Sequence, residues 1–230
     1  MVASIPSVVT VDGPSGAGKG SLCQLLAKQL GWHLLDSGAL YRIVGLAAEQ
    51  RNIALNDEPA LTALAASLNV EFKPGAAGEP ASVLLDGEDI SEQVRAESTG
   101  ELASKVAVHH GVRDALMSLQ KSFSKAPGLI ADGRDMGTVV FPDAPLKIYL
   151  TASAAARADR RYKQLIAMGQ SVNLAAVLED IQTRDDRDMN RVAAPLKPAA
   201  DAVHIDSSSL AIKDVCDLVL AELKKAALTG

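Results

Sequence analysis

Nine consecutive residues, Gly13-Pro14-Ser15-Gly16-Ala17-Gly18-Lys19-Gly20-Ser21, concentrate the chemistry of polyphosphate binding. Glycine lets a backbone approach a charged ligand closely, and a turn that opens a helix presents unpaired N–H groups to it. Lys19 supplies a positive charge for the β and γ oxygens of a triphosphate, and the macrodipole of a helix from Ser21 onward adds to it. The run departs from the strict GxxxxGK[ST] spacing, because Gly20 follows the lysine and the hydroxyl comes one place later, at Ser21. A second concentration lies far along the chain. Arg157, Arg160, Arg161, Arg184, Arg187 and Arg191 put six of the eleven arginines within 35 residues. Guanidinium holds phosphate in bidentate fashion, so this stretch suits closure over an anion; a solvated, salt-bridged helix face accounts for it equally well.

Short apolar runs supply the elements that must position these groups. Val8 to Val11 precede Asp12, His33 to Leu35 precede Asp36, Leu129 to Ala131 precede Asp132, Ala202 to Ile205 precede Asp206, and Leu146 to Leu150 form a fifth run. Runs of this length read as buried parallel strands. Helix-length segments with apolar spacing near 3.6 lie between most of them, including Ser21 to Leu30 and Ala211 to Leu228, the latter preceded by the capping candidates Ser207, Ser208 and Ser209. Strand, helix, strand in this order predicts βαβ crossovers and a parallel sheet, whose carboxyl edge, where several of the aspartates fall, is the place for ligands. The phosphate-cradling run therefore follows a buried strand and opens a helix, the context that a P-loop requires. Val70 to Phe72 and Val83 to Leu85 flank a Pro74-Gly75-Ala76-Ala77-Gly78 break, which predicts a hairpin inserted into the α/β core. Eight acidic residues against two basic ones make residues 70–101 strongly negative.

Composition narrows the functional classes. The chain has 230 residues, enough for one α/β domain with an insertion or for two small domains. Hydrophobic residues make up 48% and charged residues 22%, the balance of a globular protein rather than a disordered one. A net charge of −5 and an aromatic content of 3% argue against a nucleic-acid or anionic-membrane binder. Cys23 and Cys216, the two cysteines, have neither a disulfide framework nor a metal-ligand spacing. Met1-Val2-Ala3-Ser4-Ile5-Pro6 lacks the features of a secretory signal and no apolar stretch is long enough to cross a membrane, so a cytoplasmic place is expected.

Gly-Lys-Gly followed by Ser or Thr is how the loop looks in nucleoside monophosphate kinases. Three further stretches match: Asp36-Ser37-Gly38-Ala39-Leu40-Tyr41-Arg42, the run from Ala131-Asp132-Gly133-Arg134-Asp135-Met136-Gly137 to Asp143, and Arg184-Asp185-Asp186-Arg187-Asp188-Met189-Asn190-Arg191. Together they resemble the bacterial cytidylate kinases, from about Val8 to Asp206, the acidic insert included. The resemblance implies a three-layer α/β P-loop kinase core with a five-stranded parallel sheet, an inserted small α+β monophosphate-binding region and a short helical lid. The expected division is a core of residues 1–36, 102–156 and 192–230, a monophosphate-binding region at 37–101 with its hairpin at about 68–90, and an Arg-rich lid at 157–191.

The activity implied is transfer of the γ-phosphoryl group of ATP to CMP or dCMP with Mg²⁺. ATP would lie on the loop from Gly13 to Ser21. Ser37 and Arg42 would meet the ribose and phosphate of CMP, Arg134 and Arg184 its phosphate, and Asp188 its ribose hydroxyls. Asp135, Arg113 and Ser104 match the family positions that read cytosine. Asp36 and Asp132 are candidates to hold Mg²⁺ through its waters, with the Ser21 hydroxyl, and either aspartate serves equally as a helix cap or turn residue. Lys19, Asp132 and the lid arginines Arg157, Arg161, Arg187 and Arg191 are the expected catalytic groups. Arg157 and Arg161 are spaced i, i+4, as are Arg187 and Arg191, so each pair is expected on one helix face, with Gly169 joining two lid helices. Trp32, Met136 and Cys23 read as packing residues, and His109 and His110 as solvent-facing. A monomer without nucleic-acid or membrane partners is expected. Two other readings stay open: a kinase with another acceptor such as UMP, and a nucleotide-binding switch module, which lacks its Asn/Thr-Lys-x-Asp motif here.

Overall fold

A computed structural model describes residues 7–75, 81–190 and 194–228. In chain order they form β1 (Ser7–Asp12), α1 (Lys19–Leu30), β2 (His33–Asp36), α2 (Ser37–Gln50), α3 (Glu58–Ala66), β3 (Val70–Lys73), β4 (Ser82–Leu85) and β5 (Glu88–Asp89). There follow α4 (Ser91–Arg95), α5 (Glu97–Val106), α6 (His110–Ser122), β6 (Gly128–Gly133), a π-helical turn at Met136–Val140 and β7 (Leu146–Thr151). The chain ends in α7 (Ala154–Ala167), α8 (Leu174–Asn190), β8 (Val203–Asp206) and α9 (Ile212–Lys225). Five strands form the parallel sheet, in the order β2-β6-β1-β7-β8, and three form a small antiparallel sheet, β3-β4-β5. The expected α/β class, the five parallel strands and the inserted hairpin are all present. Among the described residues, no helix is long and apolar enough to cross a membrane.

The chain divides into two compact units. The first holds Ala27–Asp132. Its strands β2 and β6 pair in register from His33 opposite Leu129 to Asp36 opposite Asp132. Leu34, Leu35, Leu129, Ile130 and Ala131 are buried, and α2 turns Leu40, Ile43, Val44 and Ala47 inward at helical spacing. Trp32 covers Gly128 so closely that a β-carbon there would lie 2.4 Å from the indole, a packing role as expected. The hairpin pairs Val70 with Leu85 and Phe72 with Val83, and Phe72 meets Phe123 with ring centroids 5.6 Å apart. Residues 76–80 of its connection, Glu79 among them, lie outside the described residues. His109 is not solvent-facing: Nε2 lies 2.8 Å from Leu55 O and Nδ1 3.7 Å from Glu58, whose carboxylate also accepts from Gly111 N. Glu58 is thereby held below the ordinary glutamate range, chiefly by the Gly111 N–H.

The second unit holds Val8–Leu26 and the chain from Gly133 onward. Here β1 pairs with β7, and β7 with β8, all parallel. Val9, Val11, Ile148 and Leu150 are buried, as are Val215, Val219 and Leu223 at i, i+4, i+8 on α9. The Ser207–Ser209 run does not cap α9. Its N-cap is Ala211, whose N–H donates to Asp214, and Ser207 is buried and turned elsewhere. Helices α7 and α8 form a hairpin with a small core of its own, Ala158, Leu165, Val177 and Ile181. Gly169, with φ at 77°, lies in their connection, as expected.

Candidate active site

The phosphate loop follows from β1 and α1. β1 is buried through Asp12, and the chain must then turn without colliding with β7. At Gly13 it adopts φ of 151°, and a β-carbon there would lie 2.0 Å from the Leu150 carbonyl oxygen, so only glycine fits. The helix begins at Lys19, two residues before the boundary expected from sequence. Lys19 is 9% exposed and its Nζ donates to Pro14 O at 3.0 Å, which folds the side chain back along the loop.

Helix α7 anchors the loop from outside. Arg157 is 4% exposed. Its Nε donates to Ala152 O at 2.9 Å, its Nη1 to Ser15 O at 3.0 Å, and both terminal nitrogens to the Asp185 carboxylate, the first at 2.9 Å. Three residues on, Arg160 donates to Ser207 O and Oγ, and that hydroxyl is 3.0 Å from both Ala17 O and Thr151 O. Two carbonyls of the loop, at Ser15 and Ala17, are thus held by side chains from well outside it. Arg161 does not share the contacts of Arg157; it donates to Gln164 on its own helix. Arg184 and Arg187 lie exposed on α8, and Arg191 lies outside the described residues. Arg134 donates to Asp188, so the phosphate and ribose candidates of this stretch form an ion pair with one another.

Asp135 is buried at the start of the π-helical turn, and its carbonyl accepts from Val139 N at 2.8 Å. Beneath the turn lies Asp12, the last residue of β1. Its Oδ1 accepts from Met136 N and its Oδ2 from Gly137 N, each at 2.8 Å. Burial pushes its carboxyl up to about 6, with Asp135 adding to the rise, while the two N–H groups and Lys19 act against it. The folded value lies above the unfolded one of 3.8. This group therefore contributes stability that is present in full below that unfolded value and is lost as the pH rises through about 6. In a carbon-detected NMR titration, one carboxyl resonance is expected to move with a midpoint near 6 and to be missing from Asp12→Asn. A side-chain carboxyl set with every midpoint below 5 would contradict this placement.

The first unit brings together the remaining candidates. Asp36 and Asp132 are register partners at the carboxyl ends of β2 and β6. Asp36 also caps α2, its Oδ1 accepting from Ala39 N at 3.0 Å, so the cap reading of this residue is present in fact. Among the described residues no group of three or more His, Cys, Asp or Glu is placed to hold a metal. Mg²⁺ asks for less: it keeps several waters and takes one or two carboxylates plus substrate oxygens, a donor set that the Asp36 and Asp132 pair fits. Ser37 is buried at the start of α2. On the same helix Arg42 donates through Nη1 to Val94 O and Ala96 O, at 2.9 and 3.2 Å, closing the carbonyl end of α4. Arg113 lies over the Tyr41 ring, 6.0 Å from its centroid, and Ser104 is exposed with its hydroxyl on Gly100 O. Asp185, Ser207 and Tyr41 join Asp12 as residues whose places no spacing in the sequence announces. Asp185, inside the Arg184–Arg191 run, carried the clearest signal, a carboxylate among guanidinium groups.

Comparison with known proteins shows the family. The family profile described as cytidylate kinase matches residues 9–225. A cytidylate kinase of Stutzerimonas stutzeri is 53% identical over 230 residues, covering 100% of either chain. Another, of Aeromonas hydrophila, is 57% identical over 214 residues, 93% of this chain and 92% of its own. Among solved structures, an uncharacterized protein from Eubacterium ventriosum has a TM-score of 0.52 at 9% identity, with 95% of this chain and 98% of that one covered, a likeness of fold alone. Since the profile spans nearly the whole length and relatives more than half identical cover it as fully, this chain belongs to the cytidylate kinase family.

Proposed function

We propose that the protein transfers the γ-phosphoryl group of ATP to CMP or dCMP, giving ADP and CDP or dCDP. The observation that carries this reading is the full-length likeness to cytidylate kinases, at 53% and 57% identity, in a chain whose Gly-Lys-Gly-Ser loop is intact. Transfer between two polyanions needs both held in line and positive charge around the moving phosphoryl, with little covalent work for the protein.

On the donor side, the loop from Gly13 to Ser21 would cradle the ATP phosphates with backbone N–H groups, and Lys19 would leave Pro14 O for their oxygens. Arg157 and Arg160 keep that loop in shape through Ser15 and through Ser207 and Ala17. Arg161, Arg187 and Arg191 would bring positive charge to the transferring group and help exclude water. Mg²⁺ would be held by Asp36 and Asp132, largely through its waters, and by the Ser21 hydroxyl; when bound it neutralises phosphate charge.

On the acceptor side, Arg134, Arg184 and Arg42 would take the monophosphate, with Ser37 and Asp188 at the sugar. Asp135, Arg113 and Ser104 would read the base. Cytosine presents an amine at N4 where uracil has an oxygen, so a buried Asp135 carboxylate accepts from the first and meets no donor on the second. Cys23 and Cys216 are buried thiols rather than a disulfide pair, which fits a reducing, cytoplasmic place.

The test is an acceptor panel. ADP formation from ATP is expected with CMP and dCMP and to be weak with UMP and AMP; a preference for UMP or AMP would refute the base assignment. Asp135→Ala is expected to raise KM for CMP by about ten- to a hundredfold and to narrow the CMP over UMP preference. An equal loss with every acceptor would contradict the role of Asp135.

A further inference from the structure

We infer that Asp12 is the positioning residue for acceptor recognition: its carboxylate fixes the backbone at Met136 and Gly137 and thereby sets the places of Arg134 and Asp135. The inference rests on the acceptor-side reading of those two residues. Asp12 is 4% exposed, stands one residue before the phosphate loop and bonds two consecutive N–H groups, one with each oxygen. No neutral side chain does this equally well. Asparagine offers one acceptor and sets an NH₂ against the second N–H, and serine offers a single oxygen. Burying a carboxylate beside Asp135 is unfavourable, so the bidentate bond is what the charge is retained for.

The turn is shaped to receive it. A β-carbon at Gly137 would lie 2.8 Å from Thr10 Oγ1, 3.1 Å from Lys147 Cδ and 3.3 Å from Asp12 Oδ2. A side chain at Gly137 would meet the Thr10 hydroxyl first and would have to displace it or shift the turn against the carboxylate. Asp188, on α8, holds the Arg134 guanidinium. Two acidic residues from β1 and α8 therefore clamp Arg134 and Asp135, one through the backbone and one through a side chain. The donor loop has separate anchors: Arg157 on Ser15 O, Ser207 on Ala17 O and Lys19 on Pro14 O. Arg157 and Ser207 hold the loop without the Asp12 side chain, whereas Lys19 shares an electrostatic interaction with it, so KM for ATP should respond less to its loss than KM for CMP.

The experiment is steady-state kinetics of the full chain with CMP, UMP and ATP varied in turn, on Asp12→Asn, Asp12→Ala and Gly137→Ala. Asp12→Asn is expected to raise KM for CMP about tenfold, and Asp12→Ala on the order of a hundredfold, with the CMP over UMP preference falling in step. KM for ATP should stay within about twofold. Gly137→Ala keeps the carboxylate but displaces the turn, and should show the same split. Variants that lose ATP and CMP together, fail to fold, or leave the CMP constants unchanged overturn the inference, for Asp12 is then a general staple or no staple at all. The wild-type panel separates the two levels: an enzyme without CMP preference defeats the functional reading, whereas a CMP-selective enzyme indifferent to Asp12→Asn defeats this inference alone.

Discussion

Replacing Lys19 by alanine is expected to lower kcat by on the order of a thousandfold while the fold survives, because its ammonium is the loop's own charge for the phosphate that moves. The expectation follows from place as well as type. Lys19 is the first residue of α1, and its Nζ lies 3.0 Å from Pro14 O, at the mouth of the loop that it serves. Deleting it removes the hydrogen bond to Pro14 O, a charged-donor bond worth about 1.5–3 kcal/mol, so thermal unfolding should shift by only a few degrees. Lys19→Arg is expected to rescue little, since a planar fork does not fill the place of a compact point charge. Single-turnover rates of phosphoryl transfer at saturating ATP and CMP would measure the effect. A rate within tenfold of the wild type would exclude the loop as the cradle.

Arg157→Ala is expected to do the opposite, with stability falling along with activity. The guanidinium is 4% exposed and serves Ala152 O, Ser15 O and the Asp185 carboxylate at once. Truncation strands that carboxylate and frees the Ser15 carbonyl from its anchor. Removing one partner of a buried pair costs about 3–5 kcal/mol, and the partial exposure of Asp185 brings this to roughly 2–4 kcal/mol. For a chain of this size the midpoint of thermal unfolding should fall by about 5–15 °C. KM for ATP should rise as well, because the loop loses its grip at Ser15. Coupling separates the cause from general damage: Asp185→Ala added to Arg157→Ala should cost less than the sum of the two single changes. Additive losses would show that the pair does not hold the loop.

Much of this fold was legible because its signals are local. A buried parallel strand announces itself in a short, mostly apolar run of three to five residues, and all five such runs are strands of the sheet. The hairpin was equally plain, since the short apolar stretches Val70 to Phe72 and Val83 to Leu85 flank a Pro-Gly break. Boundaries were less so. Helix α1 starts at Lys19 rather than Ser21, because backbone N–H groups of a phosphate loop join the helix before its apolar periodicity begins. The Ser207–Ser209 run resembles a cap, yet Ser207 answers to the distant Ala17 carbonyl and to Arg160, a demand that no neighbouring residue reveals.

The amino-acid order alone determined the α/β class and the glycine-lysine loop, because each is written in contiguous residues whose spacing repeats the period of a strand, a helix or a turn, and its motifs carried the resemblance to the cytidylate kinases. Tertiary structure decided which charges meet. Asp12 finds Met136 N across 124 positions, Arg157 finds Ser15 O across 142, and Arg134 finds Asp188 across 54. With 28 acidic residues and 23 basic ones on the chain, charge complementarity permits many such pairings. Only the burial that the sheet and its helices impose, with its penalty for every polar group left without a partner, selects among them.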